Sequence, residues 1–190
     1  MVSKAVFFDR DGTLNIDPGY IGDPGLVELF PGTAEAIAEL KKFGFKIIVI
    51  SNQSGIARGY FTAVEVEAVN EKINSLLREK NTEIDAFYYC PYHPDFNNKE
   101  DCKCRKPSPY LVLKAADELN IDLKDSYFAG DSLSDIECGK NAGIKTILVK
   151  NGRSEEQISS LLVEGKIPNF IACDLQETSK YIINDYLGGN

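Results

Sequence analysis

Short apolar runs alternate with amphipathic stretches along this chain. Runs rich in Val, Ile, Phe and Tyr lie at residues 4–9 (KAVFFD), 45–51 (FKIIVIS), 86–90 (AFYYC), 126–131 (SYFAGD) and 145–150 (KTILVK), with a weaker one near 169–173. None alternates strictly between apolar and polar residues, as expected of strands covered on both faces. The segments between them carry helical periodicity. Residues 32–43 place Ala34, Ile37, Ala38 and Leu40 on one side and stop at Gly44, a residue type suited to a helix C-cap. Residues 62–80 open on Thr62, a possible N-cap, and set Val66, Val69 and Ile73 at helical spacing. Further helices are predicted at 109–119, 134–142 and 176–187. Strand–helix alternation of this kind predicts an α/β fold, a Rossmann-like parallel sheet with helices on both faces. Ligands of such sheets bind beyond the carboxyl ends of the strands, so the residues just after each strand are the ones to read for chemistry.

The first strand runs into Asp9-Arg10-Asp11-Gly12-Thr13. Alone, this is either an Asx-type turn or a nucleophilic carboxylate beside a second carboxyl that trades a proton with a leaving oxygen. Two carboxylates so close call for a divalent cation. The second strand ends in Ser51-Asn52-Gln53-Ser54-Gly55, whose hydroxyls and amides suit phosphate oxygens. Arg105-Lys106-Pro107 precedes a predicted helix and supplies a lysine able to neutralise a transferred phosphoryl group. The fourth strand runs into Gly130-Asp131-Ser132-Leu133-Ser134-Asp135. Oxygen ligands from Asp9, Asp11 and Asp131 would suit Mg²⁺.

Three of the five cysteines crowd into residues 90–104, close to the only histidine, while Cys138 and Cys173 stand apart. Cys90, His93, Cys102 and Cys104 make a complete donor set for a structural, tetrahedral Zn²⁺. Incidental loop cysteines, or a redox pair of Cys102 and Cys104, are the alternatives. Zinc here would staple the polar segment between the cysteines and position Lys106.

The ordered set DxDGT, Ser-Asn-Gln, Lys and GDxxxD resembles the haloacid dehalogenase (HAD) superfamily of phosphatases. The resemblance implies that Asp9 is the nucleophile and a Mg²⁺ ligand. It makes Asp11 the general acid/base, with its backbone carbonyl on the metal. Ser51 and Lys106 become the phosphate-stabilising pair and Asp131 the downstream Mg²⁺ carboxylate, with Asp135 supporting the acidic loop and Thr13 structural. Within the superfamily, the cysteine loop together with NQSGIARG resembles the heptose 1,7-bisphosphate phosphatases, and the histidinol-phosphate phosphatases share the fold and the loop. On that resemblance Asp17, Pro18, Gly19, Tyr20, Asn52, Gln53, Ser54 and Arg105 contact the sugar or its second phosphate, and the C7 phosphate is the one removed. Two positions depart from the pattern. His93 stands one residue beyond the place where the resemblance puts the zinc histidine, which here is Tyr92, and the position after Asp131, often basic in these enzymes, is Ser132.

Length and charge narrow the remaining choices. At 190 residues the chain is expected to form one domain, 1–190, with no room for a large cap. The net charge of −8 argues against a nucleic-acid groove, and so against a polynucleotide 3′-phosphatase. A non-enzymatic zinc module is the reading from a different class. No apolar stretch reaches the about 18 residues of a membrane span, and no signal peptide is evident, so the expectation is a cytoplasmic protein; the resemblance implies a monomer acting on a small phosphosugar.

Overall fold

The computed structural model describes residues 2–161 and 166–188. Its strands are β1 (Lys4–Phe8), β2 (Phe45–Asn52), β3 (Ala86–Cys90), β4 (Tyr127–Gly130), β5 (Lys145–Val149) and β6 (Phe170–Ala172). Its α-helices are α1 (Thr33–Lys42), α2 (Ala63–Arg78), α3 (Tyr110–Glu118), α4 (Leu133–Asn141), α5 (Glu155–Leu161) and α6 (Leu175–Tyr186). The strands form one sheet in the order β3-β2-β1-β4-β5-β6, and every pairing is parallel. The predicted strands and helices are thus present, with ends shifted by one or two residues. Helix α5 was not foreseen, because EEQISSL offers only a short apolar signal.

The lack of alternation in the strands has the expected cause. Val6, Phe8, Ile47 and Val49 point into a core built with Ile37 and Leu40 of α1, Val69 and Ile73 of α2, and Ile182 and Ile183 of α6. Their neighbours Ala5, Phe7, Ile48 and Ile50 point the other way, onto Leu111, Val112 and Ala115 of α3 and Cys138 of α4. A strand buried on both faces has no polar side to show.

The helix ends follow local rules. The Thr62 hydroxyl accepts from the Glu65 amide, and the Glu65 carboxylate accepts from the Thr62 amide, which closes a capping box on α2. After α1, Gly44 takes φ +81°, a conformation that L side chains rarely adopt. Ser132 and Asp135 close a second capping box on α4. Between β1 and α1, and again between β3 and α3, the described residues hold only loops and the short 3₁₀ turns Pro24–Leu26 and Asp101–Cys104. Among the described residues no cap domain fills either place, and no helix is long and apolar enough to cross a membrane.

From β1 the chain crosses to β2 on one side and later returns to β4 on the other, so strand order reverses between β1 and β4. Register there pairs Phe8 with Ala129, and the Asp9 amide donates to the Ala129 carbonyl at 3.0 Å. This reversal delivers the residues after β1 and after β4 to the same crevice.

Candidate active site

The residues following β1, β2 and β4 meet in one cavity of about 310 Å³, lined by Asp9, Asp11, Asp17, Gly19, Tyr20, Asn52, Gln53, Ser54, Gly55, Lys106, Asp131, Ser132 and Ser134. At its floor the Lys106 ammonium bonds Asp9 Oδ1 at 2.6 Å and the Ile50 carbonyl at 2.8 Å, and pairs with Asp135 Oδ1 at 2.6 Å. Lys106 and Asp135 are both buried. The two anions raise the Lys106 pKa despite burial, which by itself would lower it. Asp9 is pushed well above the usual carboxylate range, chiefly by burial, against the pull of Lys106 and with the push of Asp135 and Asp131.

Lys106 is held from the backbone as well. Its amide donates to Asn52 Oδ1 at 3.0 Å, and Asn52 Nδ2 donates to its carbonyl at 3.3 Å. The peptide bond between Lys106 and Pro107 is cis. Asn52 therefore lines the cavity while tying the end of β2 to the lysine segment.

Asp11 has different surroundings. Burial pushes its carboxyl up, but the Arg10 guanidinium and hydrogen bonds from Asn15 and Gln53 outweigh that and hold it below the ordinary range. Arg10, fully buried, grips it with Nε at 3.1 Å and Nη2 at 2.8 Å and is anchored in turn on Asn70 of α2 at 3.0 Å. Gln53 Nε2 reaches Asp11 Oδ2 at 2.8 Å and the Ser51 hydroxyl at 3.2 Å. Ser51 itself is buried behind Gln53 and is absent from the cavity wall.

Among the described residues, the carboxylates of Asp9, Asp131 and Asp135 form a group whose oxygens all lie within 4.8 Å of one another, close enough to share a metal ion. Oxygen-only donors of this kind suit Mg²⁺. The Asp11 carboxylate turns to Arg10, which leaves its backbone carbonyl as the metal contact the resemblance implies, and Asp135 stands in the carboxylate cluster. Asp135 Oδ2 is already committed to the Ser132 amide (3.0 Å) and hydroxyl (2.6 Å), and Oδ1 to Lys106. A metal in the cavity is fitted best by Asp9 and Asp131, which line it, whereas Asp135 does not. Gly12, at φ +81°, lets Asp131 approach this closely, since a Cβ there would lie 2.6 Å from Asp131 Oδ2. The buried Thr13 hydroxyl donates to Asp131 Oδ1 at 3.3 Å.

Two residues that the sequence did not single out belong to this loop cluster. Arg153, after β5, bonds both the carboxylate and the backbone carbonyl of Asp131. Asn151 Nδ2 donates to the carbonyls of Gly12 (2.9 Å) and Thr13 (3.1 Å). Their only signal was position, because they follow the carboxyl end of the strand next to β4.

Of the substrate residues expected from sequence, Asp17, Gly19, Tyr20, Asn52, Gln53 and Ser54 line the cavity, whereas Pro18 and Arg105 do not. Arg105 is half buried behind the rim, with Nη1 3.4 Å from the Tyr92 carbonyl. The cysteine loop departs from expectation. Cys90 and Cys104 are joined in a disulfide with Cα atoms 5.4 Å apart, and Cys102 is a free thiol. His93 offers Nε2 to Arg58 Nη2 at 3.2 Å, and its Nδ1 lies 3.4 Å from Asp95 Oδ2. The four-donor zinc site of Cys90, His93, Cys102 and Cys104 is therefore not assembled, because two donors bond each other and the histidine faces a guanidinium.

The HAD-hydrolase-like family model matches residues 103–178, which hold Lys106 and Asp131. A D-glycero-D-manno-heptose-1,7-bisphosphate 7-phosphatase of Chlorobaculum tepidum is 43% identical over 192 residues, spanning 95% of each chain. This chain belongs to the HAD-like hydrolase family. It is also 43% identical over 155 residues to the D-glycero-beta-D-manno-heptose-1,7-bisphosphate 7-phosphatase of Pasteurella multocida, covering 80% of this chain and 84% of that one. Among solved structures of this HAD fold, a D,D-heptose 1,7-bisphosphate phosphatase of B. bronchiseptica complexed with magnesium and phosphate superposes with a TM-score of 0.83. It is 30% identical, with 96% of this chain and 99% of that chain covered.

The buried charge network of this HAD chain makes a prediction about stability. In Lys106→Met, Asp9 and Asp135 lose their shared cation, and stability should fall by about 3–5 kcal/mol at neutral pH. Because burial already raises the Asp9 pKa, the native state keeps that proton longer than the unfolded chain does. The carboxylate's contribution therefore worsens as pH rises above the ordinary carboxylate range, and the deficit of the variant should shrink on acidification. Urea unfolding in EDTA at several pH values measures it, and an unchanged midpoint at neutral pH would show that these carboxylates need no buried cation.

Proposed function

We propose that this HAD phosphatase removes the C7 phosphate of D-glycero-D-manno-heptose 1,7-bisphosphate through an aspartyl-phosphate on Asp9. The observation that carries the reading is the Asp9 carboxylate at the cavity floor, held at 2.6 Å by buried Lys106 and facing Asp131 across the β1/β4 reversal. The substrate is taken from the relatives, whose names specify it.

In the first step an Asp9 oxygen attacks phosphorus, the bond from phosphorus to O7 breaks, and O7 leaves as the sugar alcohol with a proton from Asp11. In the second, water attacks the aspartyl-phosphate, Asp11 takes the water's proton, and inorganic phosphate departs with the Asp9 carboxylate restored. The contacts from Arg10, Asn15 and Gln53 favour the anionic Asp11 that the second step requires. Lys106 neutralises charge on the transferred phosphoryl group, and Ser51, buried behind Gln53, would have to be uncovered to reach the same oxygens. Mg²⁺, held by Asp9, Asp131 and the Asp11 carbonyl, would supply further charge neutralisation. Asp17, Gly19, Tyr20, Asn52, Gln53 and Ser54 face the sugar. The whole site lies in one domain of a cytoplasmic enzyme that needs no partner chain.

For the cysteine loop we propose structural zinc in the reduced protein. Cys102 and Cys104 share one 3₁₀ turn, and Cys90 lies beside Cys104, so three thiolates are at hand once the disulfide opens. His93 would have to leave Arg58 to become the fourth ligand.

Three measurements test this reading. Phosphate release from the heptose bisphosphate should require Mg²⁺ and exceed that from histidinol phosphate and fructose 1,6-bisphosphate. A preference for histidinol phosphate would keep the chemistry and move the substrate. Asp9→Asn should abolish turnover while leaving the circular dichroism spectrum and unfolding midpoint native-like, and retained turnover would remove Asp9 from the nucleophile's role. Elemental analysis of protein purified under reducing conditions should find about one zinc per chain, diminished in Cys102→Ser. Zinc-free protein with Cys90 and Cys104 still oxidised would overturn the zinc site and leave the disulfide as the covalent tether of the loop.

A further inference from the structure

A carboxylate that is to hold Mg²⁺ must present an oxygen in a fixed direction, because this small ion demands near-ideal octahedral geometry. Asp9 is fixed by Lys106. Asp131 needs a holder of its own, and the residue after it gives none. Ser132 turns its hydroxyl to Asp135 Oδ2 at 2.6 Å.

The holder comes from the loop after β5. The Arg153 guanidinium clamps Asp131 at two points, with Nη2 on Oδ2 and Nη1 on the backbone carbonyl. A planar fork bonded to both the carboxylate and the main chain of one residue stops the bonds between them from turning. The other carboxylate oxygen, Oδ1, accepts from the Thr13 hydroxyl at 3.3 Å. Gly12 covers the Oδ2 side, since a Cβ there would lie 2.6 Å from Oδ2 but 3.3 Å from Oδ1. Oδ2 is thus taken by the guanidinium and shielded by backbone, and the remaining lone pair of Oδ1 is left for a metal.

Arg153 itself stays out of the cavity, whose wall includes Asp9 and Asp131. Its side chain is 35% exposed against 10% for Asp131, so it grips the carboxylate from the outer side and water screens its charge. The same loop reaches the end of β1. Asn151 Nδ2 donates to the carbonyls of Gly12 and Thr13, and the Arg153 amide donates to the Lys150 carbonyl at 3.1 Å, closing a turn around Asn151. One turn therefore ties together the two strand-end loops that carry the metal carboxylates.

We propose that Arg153 is a positioning residue for the metal, holding Asp131 by Oδ2 so that Oδ1 is presented to the ion shared with Asp9. This rests on the phosphatase reading above, in which Asp9 and Asp131 hold Mg²⁺.

The test measures metal binding without substrate. Mn²⁺, a paramagnetic stand-in for Mg²⁺, is titrated into wild type, Arg153→Met and Arg153→Lys and followed by electron paramagnetic resonance. Arg153→Met should raise the Mn²⁺ Kd by about 10- to 100-fold, the range for removing a group that orients a metal ligand. Arg153→Lys, which can bond the carboxylate but cannot grip carbonyl and carboxylate together, should fall in between. In turnover assays Arg153→Met should need correspondingly more Mg²⁺ for half-activation, and saturating Mg²⁺ should restore most of kcat, which a general loss of structure would not allow. An unchanged Kd in Arg153→Met would overturn the assignment. Tighter binding would overturn it too, by making Arg153 a competitor of the ion for Asp131. If Arg153→Met fails to fold, Arg153→Lys decides, and wild-type affinity there would overturn the two-point clamp. A wild type that binds no Mn²⁺ would overturn the metal reading together with this one. A wild type that binds Mn²⁺ but hydrolyses no sugar phosphate would overturn the phosphatase reading, while the shift in Kd would still decide the role of Arg153.

Discussion

Burying an ammonium between two carboxylates under a solvent-filled crevice is the constraint around which this molecule is arranged. Lys106 can occupy that place only because β1, β2 and the start of α4 each bring an acceptor to it: Asp9, the Ile50 carbonyl and Asp135. Each acceptor is fixed by a different part of the fold. Asp9 is set by β1–β4 pairing, Ile50 by β2, and Asp135 by the capping box that opens α4. Leaving any of these charges unpaired in the interior would cost several kcal/mol. Folding and assembly of the site are therefore one event, and the site exists wherever the sheet does.

Around this centre the two acidic side chains of the first loop are kept electrostatically distinct. Asp9 is buried among anions and raised, while Asp11 is gripped by Arg10 and lowered. Attack needs the reverse, an anionic Asp9 beside a protonated Asp11, so Lys106 must hold the Asp9 carboxylate and an approaching phosphate must raise Asp11 before the first step. The lowered Asp11 comes from a residue with no place in the chemistry itself. Arg10 is fully buried between the loop and Asn70 of α2, and it gives the motif's middle position a structural meaning.

The outer parts of the site are made by loops. The β5 loop braces the centre through Asn151 and Arg153, and the cysteine loop meets the segment after β2 where His93 and Phe96 contact Arg58. In a fold without a cap domain, the selectivity of an open crevice has to be written in such loops. The cysteine loop is tethered by the Cys90–Cys104 disulfide, and the Lys106 segment that follows it by the clasp to Asn52.

The sheet and the acidic centre were legible in the amino-acid order because both are governed by short-range rules. Unpatterned Val/Ile/Phe runs mark strands buried twice over, and a carboxylate just after such a run must lie at the sheet's carboxyl edge. Asp9 and Asp131 follow from this, whereas Lys106, which stands at no strand end, was expected there only from the resemblance. Arg10 as the partner of Asp11, Arg153 as the partner of Asp131 and Asn151 beneath the Gly12 turn followed from neither. Each contact joins segments distant in sequence, or depends on which way one side chain turns, and no periodicity encodes either. The cysteine loop shows the same limit. Its composition supplied three thiols and an imidazole close together, but whether they converge on one point depends on the direction of His93, which in the folded chain is decided by Arg58 and Asp95. Strand identity is a property of local pattern. The partner of a long polar side chain is settled only by packing, because many partners are in reach and burial selects the one that leaves the fewest charges unpaired.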